Sequence, residues 1–212
     1  MSLTGRTVLL AGGTSKAGLV VARPALDRGA RVIVVGRDAD ALASIAHDAP
    51  GVVTEQCDLT DEAAVAALRE RTGPVDGVLH LVGGWRGGGG LAGQSESDFA
   101  FLAISFTALR LVSRAYDDAL CGSPAGRLAM VSSTSVERPM PGSASYTALK
   151  AAAESWTRAV AQDFAKRAPS AAAVVFRVTA LDGLEHALAD GFLGLWDVAA
   201  TEVNDTVVTL AP

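Results

Sequence analysis

The chain has 212 residues, half of them hydrophobic and 19% charged, with a formal net charge of -5 at pH 7; this suits one well-buried core, so residues 1–212 are read as a single domain. The arginines are scattered between apolar segments, which leaves no basic stripe for a nucleic-acid backbone, and no apolar run approaches the roughly 18–20 residues that span a bilayer. Cys57 and Cys121 are too few for a disulfide framework, and His47, His80 and His186 have no metal-ligand spacing, so the expectation is a soluble, cytoplasmic protein with a small-molecule partner and no metal.

In chain order, residues 7–10 form an apolar run that ends in glycines, residues 31–35 a β-branched run, and a helical stretch separates them. The alternation continues with a strand over 52–55, a helix opened by Thr60 and Asp61, a strand over 78–82, a helix near 97–120 and a strand over 128–131. A long helix from about 145 to 168 and a strand over 173–178 follow. Continuous hydrophobic strands alternating with helices predict a parallel sheet covered on both faces. The expectation is one α/β, doubly wound, Rossmann-type domain in three layers, with about six strands and a shortened C-terminus, since residues 181–212 give no convincing seventh strand. The helices near 97–120 and 145–168 carry Phe99, Phe106, Trp156 and Phe164, more apolar surface than one-sided burial requires, which predicts a homodimer or homotetramer.

Gly12, Gly13, Thr14, Ser15, Lys16 and Gly18 stand where the first strand feeds the first helix, the place where a dinucleotide pyrophosphate meets helix N-terminal amides. Glycine turns after strands are also common without a ligand. After the second strand, Gly36-Arg37 lacks the acidic residue that binds the ribose hydroxyls of NAD; Arg37 is placed to pair with a 2′-phosphate or to be a surface arginine. Tyr146 and Lys150 lie at i and i+4 on one helical face, where an ammonium stabilises a phenolate that can exchange a proton with a carbonyl or alcohol. Ser133, thirteen residues earlier, lies just past a strand at the carboxyl edge of the sheet.

Together the glycine turn, Asp58, Ser132-Ser133 and Tyr146-Thr147-Ala148-Leu149-Lys150 resemble the short-chain dehydrogenase/reductase family over roughly residues 5–180. The resemblance implies a nicotinamide cofactor, with NADP(H) favoured over NAD(H) by Arg37, and hydride transfer to or from a small carbonyl or alcohol. It implies that Tyr146 is the general acid/base, that Lys150 lowers its pKa and holds the nicotinamide ribose, and that Ser133 positions the substrate oxygen. Gly12, Thr14, Ser15, Lys16, Gly18, Asp58, Leu59, Gly83 and Thr179 would complete the cofactor site. Asp58 is read either as the adenine contact or as a helix cap. Lys16 replaces the family's middle glycine, as a phosphate clamp or a solvated lysine. His80-Leu81-Val82-Gly83 keeps only the glycine of N-N-A-G, Ser105 stands for the relay asparagine, and Thr179-Ala180 for a proline-glycine. His80 is read as an acid/base or as a hydrogen-bonded core histidine. Gly83-Gly84-Trp85-Arg86-Gly87-Gly88 is similar to a loop of the dihydropteridine reductase branch, where Trp85 would stack on a flat ring or merely anchor the loop. A second class, a nucleotide-binding sensor without turnover, is set against these enzyme readings because residues 182–196 are brief where relatives build a substrate lid.

Overall fold

The apolar runs become strands because helices cover them from both sides. The structure, a computed structural model, describes residues 2–211; Met1 and Pro212, the latter the end of the tail discussed above, lie outside them. Among the described residues the strands are β1 (Thr7–Ala11), β2 (Arg31–Gly36), β3 (Val53–Gln56), β4 (Gly77–His80), β5 (Arg127–Ser133), β6 (Ala172–Val178) and β7 (Thr206–Thr209). They form one parallel sheet in the order β3-β2-β1-β4-β5-β6-β7. The helices are α1 (Lys16–Asp27), α2 (Ala39–Asp48), α3 (Glu62–Thr72), α4 (Glu96–Ala115), α5 (Asp117–Gly122), α6 (Ala144–Arg167), α7 (Glu185–Gly194) and α8 (Ala200–Val203).

Alternate residues of each strand feed opposite cores. Leu10, Val34 and Phe176 pack against Val21 of α1, Leu42 of α2 and Phe192 of α7. Leu9, Ile33 and Leu128 pack against Leu68 of α3, Val112 of α4 and Phe164 of α6. Strand order reverses at β1, whose neighbours are β2 and β4, so a crevice opens beyond their carboxyl ends where doubly wound folds bind ligands.

The strand count differs from expectation: β7 is a seventh strand, and the tail is not shortened to six. It pairs only with β6, and adjacent Val207 and Val208 are both exposed, so it has no period-two pattern to read. Asn204 anchors it, its Oδ1 accepting from Ala173 N at 3.0 Å and its Nδ2 donating to Ala161 O at 2.9 Å. The expected helix near 97–120 is two, interrupted at Tyr116, whose buried phenol shares a 2.8 Å hydrogen bond with Thr72. Phe164, expected at an intersubunit face, is wholly buried in the chain's own core, which leaves Phe99 exposed and Phe106 and Trp156 half-buried on α4 and α6.

Candidate active site

Two cavities meet at the carboxyl edge of the sheet. One, of about 250 Å³, is lined by Gly12, Thr14, Ser15, Arg37, Asp58, Leu59 and Gly83, which gathers most of the expected cofactor residues. Two glycines let the turn beside it close. Gly12 has φ +77°, and a Cβ there would stand 2.7 Å from Val82 Cγ2; at Gly18 a Cβ would stand 1.9 Å from Gly13 O, so only glycine lets α1 start this close to β1. Ser15 caps α1 by accepting from Gly18 N. Gly36 puts no carboxylate at the end of β2, and Arg37 is exposed at the cavity rim.

Asp58 does not cap the following helix: Asp61 does, accepting from Ala63 N and Ala64 N. The Asp58 carboxylate accepts from the Thr60 hydroxyl at 2.7 Å and the Thr60 amide at 2.9 Å, and these bonds, with Arg37 further off, hold it below the ordinary carboxylate range. Lys16 turns away from the turn's glycines. Its ammonium pairs with Glu185 at 2.8 Å and Asp182 at 3.5 Å and does not line the first cavity; the side chain is largely exposed, as the solvated-lysine reading has it.

The second cavity, about 470 Å³, is lined by Ser15, Gly83, Trp85, Tyr146, Lys150 and Thr179, with His80 at its back. The i, i+4 spacing puts Tyr146 and Lys150 on one face of α6, with Lys150 Nζ 5.8 Å from the phenol ring centroid. Lys150 Nζ donates to Val131 O at 2.8 Å. Burial pulls this ammonium down to about 8, against the opposing charge of Glu154. Burial raises the Tyr146 phenol, and a hydrogen bond with the Ser133 hydroxyl opposes the rise. Ser133 Oγ also accepts from Ser135 N at 3.2 Å.

Ser105 lies in a small side cleft with Tyr146 and Lys150, and its hydroxyl donates to Val82 O at 2.5 Å. Thr179 Oγ1 is 3.5 Å from Thr134 Oγ1. His80 is buried as expected of a core histidine but not hydrogen-bonded: neither ring nitrogen has a partner, although the Ser105 backbone lies near enough to act on the ring. Burial first, and the Lys150 charge second, drive it down to about 3, so it is neutral at pH 7.

Two participants escaped the sequence reading. Gln94 Nε2 donates to the Gly88, Gly90 and Gly142 carbonyls and its Oε1 accepts from Ser145 N at 3.1 Å, stapling the glycine loop to the turn before Tyr146. Glu154 sits four residues beyond Lys150, and that continued spacing is the signal that could have found it.

A family model described as short chain dehydrogenase matches residues 6–181. The chain belongs to that family. Galactitol 2-dehydrogenase (L-tagatose-forming) of Cereibacter sphaeroides is 31% identical over 173 residues, 78% of this chain and 68% of that protein. The uncharacterized oxidoreductase DltE of Bacillus subtilis (strain 168) is 39% identical over 70 residues, 33% of this chain, and the chain spans only 28% of that relative's length. A solved short chain dehydrogenase/reductase family protein superposes with TM-score 0.87 at 25% identity, over 99% of this chain and 97% of that one. The short-chain dehydrogenase is an oxidoreductase that acts on small molecules and uses a nicotinamide dinucleotide, and no helix among its described residues is long and apolar enough to cross a membrane.

Proposed function

We propose that residues 1–212 form one NADP(H)-dependent oxidoreductase domain that moves hydride between nicotinamide and a small carbonyl or alcohol, using Tyr146, Lys150 and Ser133. The convergence of Tyr146 and Lys150 on one cavity, with Ser133 hydrogen-bonded to the phenol, carries this reading. The residues fit a dinucleotide: the Gly12–Gly18 turn is a cradle that a Cβ would fill, and Arg37 stands where a 2′-phosphate would need a bidentate cation. When bound, the nicotinamide would supply or take the hydride. Tyr146 moves the proton at the substrate oxygen, Ser133 gives that oxygen a second donor, and Lys150 carries positive charge beside the phenol and holds the ribose. Asp58 and Leu59 bound the adenine end, Gly83 and Thr179 the nicotinamide end, and Ser105 fixes the Val82 backbone between them.

NADPH oxidation against a panel of carbonyls tests the activity, and fluorescence titration tests the cofactor. NADPH should bind at least about tenfold more tightly than NADH, about 1.4 kcal/mol, and Arg37→Ala should erase the difference. Equal affinities in the wild type would overturn the NADP(H) preference. A second reading, reduction of a flat conjugated acceptor such as a quinonoid dihydropterin, is favoured by Trp85 on the wall of the catalytic cavity. Including that acceptor in the panel decides between the two. The reading includes a cytoplasmic location, supported by the unpaired Cys57 and Cys121. It also includes a homodimer or homotetramer through α4 and α6, supported by Phe99, Phe106 and Trp156; a monomer by light scattering at micromolar concentration would overturn that element.

A further inference from the structure

Tyr146, Lys150 and Glu154 recur every four residues along α6 and so share one helical face. Glu154 is 6% exposed. Its carboxylate accepts from Ser132 Oγ at 2.6 Å, Arg177 Nε at 2.8 Å and Arg177 Nη2 at 2.6 Å. Ser132 and Arg177 are register partners across β5 and β6, so one carboxylate ties α6 to two strands. The residues flanking Ser132 are those that meet the Tyr146–Lys150 pair: the Val131 carbonyl accepts from Lys150, and the Ser133 hydroxyl bonds the phenol. Arg177 is shared, because its Nη1 donates to Glu137. One guanidinium charge therefore faces two carboxylates, with the Arg158 charge acting on Glu154 from further off. A buried ion pair is by itself a weak source of stability, and this one sits a turn from the ammonium the chemistry needs.

Resting on the catalytic assignment above, we propose that Glu154 is the positioning residue of the Tyr146–Lys150 pair. Through Ser132 it fixes the end of β5 that presents the Val131 carbonyl and the Ser133 hydroxyl, and it supplies the counter-charge that keeps Lys150 cationic. The other groups around Lys150 are Tyr146 on α6 and neutral His80 on β4; Arg177 on β6 and Glu137 after β5 reach it only through Glu154, and Arg158 of α6 acts on Glu154 from outside. Burial and Glu154 act on Lys150 in opposite directions, in line with this role.

The test is a lysine side-chain NMR titration of the nucleotide-free protein, with the Lys150 signal identified by its loss in Lys150→Met. Glu154→Gln should lower the Lys150 midpoint by on the order of one pH unit and carry the matching limb of the kcat/KM profile with it, while Glu154→Asp should stay near wild type. Ser132→Ala cuts the tie and keeps the charge, so it should lower kcat severalfold without moving the midpoint. An unmoved Lys150 midpoint in Glu154→Gln, or unaltered kcat in Ser132→Ala, would overturn the proposal. If Glu154→Gln fails to fold, Glu154→Gln/Arg177→Gln, which removes both charges, is read the same way. Should the midpoint move while Lys150→Met keeps full turnover, the catalytic assignment falls and the coupling of Glu154 to Lys150 stands.

Discussion

Replacing Lys150 with methionine should destroy activity and yet stabilise the fold. In the folded protein this ammonium titrates near 8 instead of 10.5, chiefly because burial strips it of water. Below pH 8 the folded state holds a proton it binds weakly, whereas the unfolded chain holds the same proton until about 10.5. At about 1.36 kcal/mol per pH unit the penalty is at most roughly 3 kcal/mol, and Lys150 keeps some surface on the cavity, which trims it further. Methionine fills a similar volume but forfeits the bond to Val131 O, worth about 1 kcal/mol. The net gain at pH 7 should be about 1–2 kcal/mol, roughly 3–6 °C in Tm for a domain of this size. The unfolded state binds more protons between pH 8 and 10.5, so wild-type stability rises across that window and the variant's advantage should fade through it. Urea unfolding of both proteins without nucleotide at pH 7, 9 and 10.5 measures this. A variant no more stable than wild type at pH 7, or an advantage that does not change with pH, would refute the reasoning.

Tyr146→Phe should cut kcat by on the order of a hundredfold or more while cofactor titration stays near wild type, since it removes one proton-carrying oxygen and keeps the ring. Ser133→Ala should cost much turnover with an isolated carbonyl and little with a conjugated ring acceptor, as steady-state kinetics on both would record. His80, whose folded pKa is depressed to about 3, stays neutral in the fold while the unfolded chain takes up a proton below about 6.5, so stability is lost as pH falls through that range. At pH 4.5 the loss is about 3 kcal/mol, and His80→Leu should remove it from urea midpoints compared at pH 7 and 4.5.

Five of the six strands read from sequence were legible because parallel strands buried on both faces must be continuously apolar, and helices between them must keep a polar stripe; β3, a partly buried edge strand reading Val-Thr-Glu-Gln, was legible only from its place in the alternation of strands and helices. β7 obeys neither constraint: it is four residues long, lies at an edge and shows both valines to solvent. The break at Tyr116 was invisible because a buried phenol bonded to Thr72 is a tertiary fact with no local signature. Spacing located Tyr146, Lys150 and Ser133 because a helix turn and a strand end fix their separations. It could not place Lys16, whose direction is decided by Glu185, 169 residues away in the chain. Nor could it show that His80 would be buried with both nitrogens bare, since that depends on which neighbours its strand meets.

The glycine loop of residues 83–93 gives Gly83, Gly84 and Trp85 to the cavity wall, and every residue in it except Gly87 is exposed. It is tethered by hydrogen bonds from Gln94 and by Gly88 N to Gly142 O at 2.7 Å, outside either large core. On the proposed function, the wall that substrate would meet and the cores that hold the fold thus lie in different parts of the chain. A loop of another length and composition, spliced between Gly83 and Ser95 with its own tether to Gly142, would change which molecules reach Tyr146 while the melting transition stayed where it was. The scaffold is in that sense open to redesign: selectivity can drift quickly in this one surface segment without the destabilisation that substitutions in β4 or β5 would bring.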